Sequence, residues 1–421
     1  MILLKKSFHH FLIVLTICLI IRLFLALTIP PGGDLATLIR WGNILADNGP
    51  VNFYQKVENE QLSGINSTFW AAAEIYKLSQ KINLPFKEEF IFRLVPILAD
   101  FANAYIIYAL VKKFYYKVKT AKLVACLYLL NPAVFLMSSS LGQPDSFAML
   151  FVFLSIYFLT EKKLILSSLF AGIGVATKPW PLLAIPIFLT YIFLKKLKKF
   201  NFITKINQII IYCSIIVITV LIIFSPYKPY ENDSLIGHMA SRYLTMDRIQ
   251  PYASKFTLNF WSLFTHYPQT DDKIFLNLSY RITSIIMFAI FYLSILGLFS
   301  IKFLKVQRNK NRVDFFNLLT LALCLAFLAM YLFLTRMLDR YLFFAVNLLY
   351  LASFSLSKTG KILATIFILA NTYNILSTFY LNSLNWGQSY VILFSIFNML
   401  FFFYLLFSFF RYKETLEKSK L

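Results

Sequence analysis

Long apolar runs recur from one end of the chain to the other, separated by shorter polar connections that carry Lys and Arg. A run of about 20 apolar residues lets an α-helix cross a bilayer. The pattern predicts an all-α integral membrane protein with about twelve transmembrane helices. We place these near Phe11–Ile29, Ile91–Val111, Leu123–Ser139, Ser146–Thr160, Leu164–Ala176, Trp180–Leu194, Asn207–Ser225, Arg281–Ile301, Phe315–Leu334, Tyr341–Leu356, Ile362–Tyr380 and Ser389–Phe410.

Two long connections, residues 30–90 and 226–280, interrupt the apolar pattern. In the first, apolar residues recur at helical spacing over Leu35–Ala46, which predicts an amphipathic helix along the membrane interface. A second helical pattern covers Phe69–Leu78. Connections of this length with helices of their own are usually functional. We expect residues 1–421 to form a single polytopic membrane domain.

Composition and charge support this class. The 421 residues are 59% hydrophobic and 14% charged, with mean hydropathy +0.68, which excludes a soluble globular protein. The net charge of +22 comes from basic clusters between the apolar runs, ending in a basic tail, Lys413–Lys420. With both termini in the cytoplasm, these clusters obey the positive-inside rule. We therefore expect a multi-pass protein embedded in the lipid bilayer of the cell (cytoplasmic) membrane. We expect no nucleic acid partner.

Both long connections then lie outside the cytoplasm, and the first begins with a candidate catalytic acid. Asp34 follows Pro30-Pro31-Gly32-Gly33, where the first apolar run ends. It is equally well placed to cap the helix predicted to follow. The four cysteines all lie in apolar runs, so no disulfide framework is indicated.

Three more outer connections carry chemistry. Gly142-Gln143-Pro144-Asp145 is a short turn in which Asp145 either caps the next helix or acts in a site. Lys178 either extends to the interface or binds an anion. Arg336, Asp339 and Arg340 form an outward cluster, and positive charge on the outer side runs against the positive-inside rule. This exception favours phosphate binding by the arginines over a salt bridge within the cluster. Asp100 and Arg22 are charges inside apolar runs, and we interpret Asp100 as structural.

These residues come from separate parts of the chain, yet the predicted topology places Asp34, Asp145, Lys178 and the arginines on one side of the membrane. Carboxylates and cations together suit transfer from a lipid phosphate, because the acid deprotonates an acceptor hydroxyl while the cations stabilise the leaving phosphate. No sequence motif for zinc, ATP or a dinucleotide is present.

The chain also resembles the GT-C class of polyprenyl-phosphate-sugar-dependent glycosyltransferases, most of all its bacterial and archaeal mannosyltransferase-like members. The matching stretches, in order, are Gly33–Thr37, Arg93–Asp100, Leu130–Val134, Gly142–Asp145, Thr177–Pro179, Pro251–Ser254, Asn259–Trp261 and Thr335–Phe343. The resemblance implies a GT-C-like fold with interfacial helices in the first outer loop, a general base at Asp34, and donor-phosphate binding near Arg336–Arg340. It also implies no obligatory metal or nucleotide cofactor.

Two stretches depart from the family pattern. Its late motif often has His and Glu where this chain has Leu338 and Asp339. Its first loop often carries Tyr-Pro-Pro-Gly, where this chain has Leu62-Ser63-Gly64-Ile65-Asn66. Both departures bear on the identity of the donor and the acceptor.

The prediction is a membrane hexosyltransferase that moves a monosaccharide, with mannose as the first guess, from a polyprenyl-phosphate sugar to a lipid-linked or envelope glycan acceptor. Asp34 is the expected base, and Arg336, Arg340 and Lys178 are expected to bind the donor phosphate. Gln143, Asp145 and Asp339 are expected to orient the substrates. The alternative is a twelve-helix transporter or lipid-linked glycan flippase, which would be built from internal repeats around a mid-membrane site.

Overall fold

The computed structural model describes residues 2–51, 53–57, 61–195, 202–228, 234–248, 251–255, 257–265, 269–275, 277–308, 311–380 and 388–412. The predicted basic tail Lys413–Lys420 lies outside these residues. The chain divides into two compact units. Unit 1 comprises Met1–Leu182 and Ile210–Ile249, and unit 2 comprises Leu183–Ile209 and Gln250–Leu421.

Helices dominate the described part of both units. They are α1 (Ile2–Thr28), α2 (Gly33–Asn48), α3 (Phe53–Lys56), α4 (Ser63–Lys81), α5 (Glu88–Tyr115), α6 (Val118–Leu130), α7 (Pro132–Phe135), α8 (Asp145–Thr160), α9 (Leu164–Thr177), α10 (Ala184–Leu194), α11 (Phe202–Phe224), α12 (Leu235–Arg248), α13 (Tyr280–Arg308), α14 (Arg312–Phe333), α15 (Phe343–Ala352), α16 (Lys358–Tyr380) and α17 (Gln388–Phe410). Short strands β1 (Tyr252–Ser254), β2 (Gln269–Thr270), β3 (Ile274–Phe275) and β4 (Leu278–Ser279) form two antiparallel pairs.

The multi-pass membrane class is confirmed, whereas the count of twelve spans is not. Among the described residues, six helices are long and apolar enough to cross a membrane, or seven if one bent pair counts as a span. Helices α8, α9 and the stretch Trp180–Leu194 are apolar but shorter. The cytoplasmic placement of the termini stays a prediction.

One predicted span, Leu123–Ser139, is wrong as a continuous helix. The chain bends by 53° between α6 and the segment that starts at Pro132. Proline has no N–H for the helix ladder, and the Asn131 side chain caps the new helix by accepting from the Ala133 N–H at 2.9 Å. A π-helical turn, Leu136–Ser140, follows α7 directly. Such turns are frequent at functional sites.

The two helices predicted in the first outer loop are present as α2 and α4. The apolar stripe of α2 comprises Leu35, Leu38, Trp41 and Leu45, and it is buried in the core of unit 1 against α4 and α5. Gly42 permits this close packing, because a Cβ there would lie 2.7 Å from the Phe69 carbonyl oxygen. The apolar stripe of α2 therefore packs against protein, and this packing fixes the start of α2 in unit 1.

Unit 2 is organised around α14. Nearly every side chain of this helix is buried, and α10, α13, α15 and α17 pack around it. A 3-10 turn, Asp339–Leu342, packs against α14, α15 and α16. Asp339 and Arg340 of the outward cluster predicted from the sequence thus lie on a tightly packed turn.

Candidate active site

Asp34 lies in the first turn of α2 and is solvent-exposed. The N-cap of this helix is Gly32, and no side chain makes a capping hydrogen bond there. The capping interpretation of Asp34 is therefore wrong. A negative charge in the first turn of a helix is still favoured by the helix dipole.

Gln143 holds the Asp34 carboxylate. Its Nε2 donates to Oδ2 of Asp34 at 3.0 Å, and its side chain is only 4% exposed. The preceding Gly142 has φ +64°, and a Cβ there would lie 2.8 Å from Cδ1 of Leu35. Glycine at 142 is thus required both by the left-handed backbone and by close contact with α2. A buried amide fixed on a rigid turn therefore orients an exposed acid.

Arg93 holds the two backbone segments that carry this pair. The fully buried guanidinium donates to the carbonyl oxygens of Ala26 at 2.9 Å, Ile29 at 2.7 Å, Pro30 at 3.2 Å and Ser140 at 2.8 Å. The first three are at the end of α1, where helix carbonyls lack partners within the helix. The sequence reasoning gave Arg93 no role of its own, although an arginine inside an apolar run is itself a signal.

Asp145 and Lys178 form a second, buried pair in unit 1. Lys178 Nζ lies 2.9 Å from Oδ1 of Asp145, and the side chains are 4% and 0% exposed. Asp145 is in the first turn of α8 without a capping bond, and Lys178 follows the end of α9. Capping by Asp145 and extension of Lys178 to the interface are therefore both wrong. The structure shows that Asp145 and Lys178 form an ion pair inside unit 1.

The stretch Leu62–Asn66, where the chain departs from the family pattern, packs beside this lysine. A Cβ on Gly64 would lie 2.6 Å from the Ala176 carbonyl oxygen, so glycine allows the backbones to meet. Asn66 Nδ2 donates to the Tyr54 hydroxyl at 2.8 Å. Burial raises the pKa of Tyr54 to about 12, so this hydroxyl stays neutral and able to donate.

A buried ion pair supports the Gln143–Asp145 segment from within the unit. Asp100 Oδ2 accepts from Arg22 Nε at 3.2 Å and from the Ser138 hydroxyl at 2.6 Å, while Oδ1 accepts from the Ser146 hydroxyl. Asp100 thereby links α1, α5, the π-helical turn and α8. This agrees with its interpretation as a structural residue.

The donor-phosphate candidate Arg336 lies in unit 2, where its fork engages Asp271. Nε of Arg336 lies 2.6 Å from Oδ2 of Asp271 and Nη2 lies 3.2 Å from Oδ1. Thr335 also donates to Oδ2 at 3.1 Å. The Arg336 backbone has φ +64° and donates its N–H to the Tyr252 carbonyl at 2.8 Å. Sequence reasoning missed Asp271, since one acid in a long connection gives no pattern.

The remaining two candidates, Asp339 and Arg340, lie on the 3-10 turn of unit 2. Asp339 is 2% exposed and Arg340 is half-buried. The structure therefore places Asp34, Gln143, Asp145 and Lys178 in unit 1, and Arg336, Asp339 and Arg340 in unit 2. Within the described ranges, no group of three or more His, Cys, Asp or Glu side chains is arranged to hold a metal.

Residues 70–230 match the model of the dolichyl-phosphate-mannose-protein mannosyltransferase family. The match covers less than half of the chain and includes Arg93, Gln143, Asp145 and Lys178, but not Asp34 or Arg336. No curated protein matches the chain. Together with the apolar helices, the match supports the resemblance to the GT-C class and the assignment as a membrane glycosyltransferase of that type.

Proposed function

We propose that this membrane glycosyltransferase moves a monosaccharide, with mannose as the first candidate, from a polyprenyl-phosphate donor to a hydroxyl of a lipid-linked or envelope glycan. The single observation that carries the proposal is the exposed Asp34 carboxylate held by the buried Gln143 amide at 3.0 Å. An acid that must accept a proton has to be reachable by substrate and fixed in direction, and this pair supplies both properties.

The proposed reaction is a single displacement at the anomeric carbon. The acceptor oxygen forms the new bond, its proton passes to Asp34, and the bond between the sugar and the phosphate oxygen breaks with its electrons leaving on the lipid phosphate. Arg336 and Arg340 stabilise that leaving charge. Lys178 contributes together with its partner Asp145, which sets the direction of the ammonium group. The reaction as proposed needs no metal or nucleotide.

The test is a transfer assay on purified protein in nanodiscs, using radiolabelled polyprenyl-phosphate mannose and envelope glycan fractions as acceptors. Wild-type protein should form a labelled glycan, and Asp34→Asn should abolish transfer without lowering expression or melting temperature. Asp47→Asn is the matched control, because Asp47 is a largely exposed acid on the same helix. Full transfer by Asp34→Asn would falsify the assignment of the base.

A transporter or flippase predicts a different outcome from the same preparation. Proteoliposomes would then move the lipid-linked sugar across the bilayer without forming a labelled glycan. That result would overturn the transferase proposal, whereas transfer that depends on Asp34 would overturn the transporter.

A further inference from the structure

Two buried asparagines of unit 2 have no hydrogen-bond partner among the described residues. Asn347 on α15 is 0% exposed and Asn371 on α16 is 3% exposed. Within the part of the chain that the structure describes, neither the amide nitrogen nor the amide oxygen of either residue has a hydrogen-bond partner. A buried polar group normally has one, because leaving it unpaired costs about 1–3 kcal/mol. These side chains therefore need an explanation other than packing.

Other buried asparagines of the same protein show what structural residues of this type do. Asn103 donates to the Tyr128 hydroxyl at 3.2 Å and to the Ser146 carbonyl at 2.9 Å. Asn398 on α17 donates to the Leu258 carbonyl at 2.8 Å. Asparagines commonly join membrane helices in this way. Asn347 and Asn371 differ, since they join no described element to another.

Both asparagines are on helices that contact the turn that carries Arg340. Helix α16, which holds Asn371, packs against the turn Asp339–Leu342. The same turn leads directly into α15, and Asn347 follows Arg340 by about two helical turns. The two asparagines are therefore on the two helices that contact the turn proposed to hold the donor phosphate.

A third unpartnered polar group lies at the level of Asn371. The antiparallel helices α16 and α17 are in register through two ring contacts, Phe367–Phe401 at 4.4 Å and Tyr373–Phe394 at 6.4 Å between centroids. Ser395, which is 0% exposed and has no described partner for its hydroxyl, falls between those two levels on α17. Asn371 and Ser395 thus lie at one level on α16 and α17, while Asn347 is on α15, which contacts the same turn as α16.

We propose that Asn347, Asn371 and Ser395 form the subsite for the sugar ring of the lipid-linked donor. An amide offers donors and acceptors together, as does a hydroxyl, and sugar hydroxyls require both from a neutral partner. A phosphate or a metal ion would instead require opposite charge, which these three residues do not supply. The subsite rests on the proposed function, because the phosphate at Arg336 and Arg340 brings the sugar to it.

The test separates recognition of the sugar from binding of the lipid phosphate. The affinity of full-length protein in nanodiscs is measured for undecaprenyl phosphate and for undecaprenyl phosphate that carries mannose, glucose, galactose or N-acetylglucosamine. The wild type should bind one sugar-bearing lipid about tenfold more tightly than the bare lipid phosphate. Asn371→Leu and Asn347→Leu should reduce that ratio to about one while binding of the bare lipid phosphate is unchanged.

Thr365→Leu is the matched control, because Thr365 is an exposed polar residue on α16, and its ratio should equal that of the wild type. Milder variants, Asn371→Ser and Ser395→Ala, apply the same test if a leucine variant fails to fold. A wild-type ratio near one with every sugar, or a ratio unchanged in the asparagine variants, would overturn the subsite and leave the transferase proposal standing. Loss of all lipid-phosphate binding by the wild type would overturn the proposed function itself.

Discussion

Replacing Gln143 by Leu tests whether the amide beside Asp34 acts in the reaction. The substitution keeps the buried volume and removes the donor that lies 3.0 Å from the carboxylate. A hydrogen bond to a charged group contributes about 1.5–3 kcal/mol. Because Asp34 is exposed, water competes for its oxygens, so the low end applies. A loss of about 1.5 kcal/mol in the transition state lowers kcat about tenfold.

The assay is steady-state transfer with purified variants, with kcat and KM for the donor measured separately. We expect kcat to fall while KM and the melting temperature stay near the wild-type values, since Gln143 orients the base. Gln143→Glu should be less active still, because a second negative charge would lie against Asp34. The control is Gln80→Leu, an exposed glutamine of the outer loop that carries Asp34.

Two results would refute this reasoning. One is a kcat for Gln143→Leu within about twofold of the wild type, which would mean that the hydrogen bond contributes little to catalysis. The other is an equal loss in Gln80→Leu, which would mean that the effect is general damage to the loop.

Three further predictions concern the supporting structure. Gly142→Ala should lower both kcat and the melting temperature, measured by transfer and thermal unfolding in detergent, because φ is +64° and a Cβ would clash with α2. A double-mutant cycle of Asp271→Asn and Arg336→Gln, measured by unfolding in mixed micelles, should give a coupling energy of at least about 1.5 kcal/mol; a value under about 0.5 kcal/mol would contradict the fork seen in the structure. Asp100→Asn should lower the melting temperature markedly, since removing one partner of a buried pair costs about 3–5 kcal/mol, and Arg22→Gln in the same chain should restore part of it.

Much of the fold follows from local sequence. Apart from Leu123–Ser139, hydrophobic runs locate the predicted helices to within a few residues at most ends, because burial and lipid exposure both select apolar side chains over a helix length. The helical spacing of Leu35–Ala46 correctly predicts α2. The spacing does not show whether the apolar stripe faces lipid or a protein core, because both environments select the same residues. Pro132 is a sequence signal for the helix break at Asn131. The sequence alone did not predict that break, because proline is often tolerated in membrane helices.

The candidate site was predictable as residues but not as contacts. Asp34, Gln143, Asp145 and Lys178 stand out as polar groups in the outer connections. Their pairing depends on contacts between parts of the chain that are far apart in sequence. The local rules therefore left capping open for Asp34 and Asp145, and neither residue caps its helix. Asp271 was missed for the same reason, since its partner Arg336 lies 65 residues further along the chain.

Two buried arginines explain how unit 1 tolerates the helix breaks that shape its site. In a continuous helix, the Ala26 carbonyl would accept from residue 30 and the Leu129 carbonyl from residue 133. Pro30 has no N–H, and the Ala133 N–H is taken by the Asn131 side chain, so both carbonyls lose their helical partners. Arg93 donates to the Ala26 oxygen and Arg22 to the Leu129 oxygen, each at 2.9 Å.

At each break, an arginine from a different part of the chain thus donates to the backbone carbonyl that has lost its helical partner. An unpaired carbonyl in the membrane interior costs several kcal/mol, so the arginine and the break have to occur together. The same arginines then hold the segments that the breaks release: Arg93 contacts the backbone at Pro30 and Ser140, and Arg22 pairs with Asp100. Because those segments lead to Asp34 and Gln143, the charges that permit the breaks also set the direction of the candidate base.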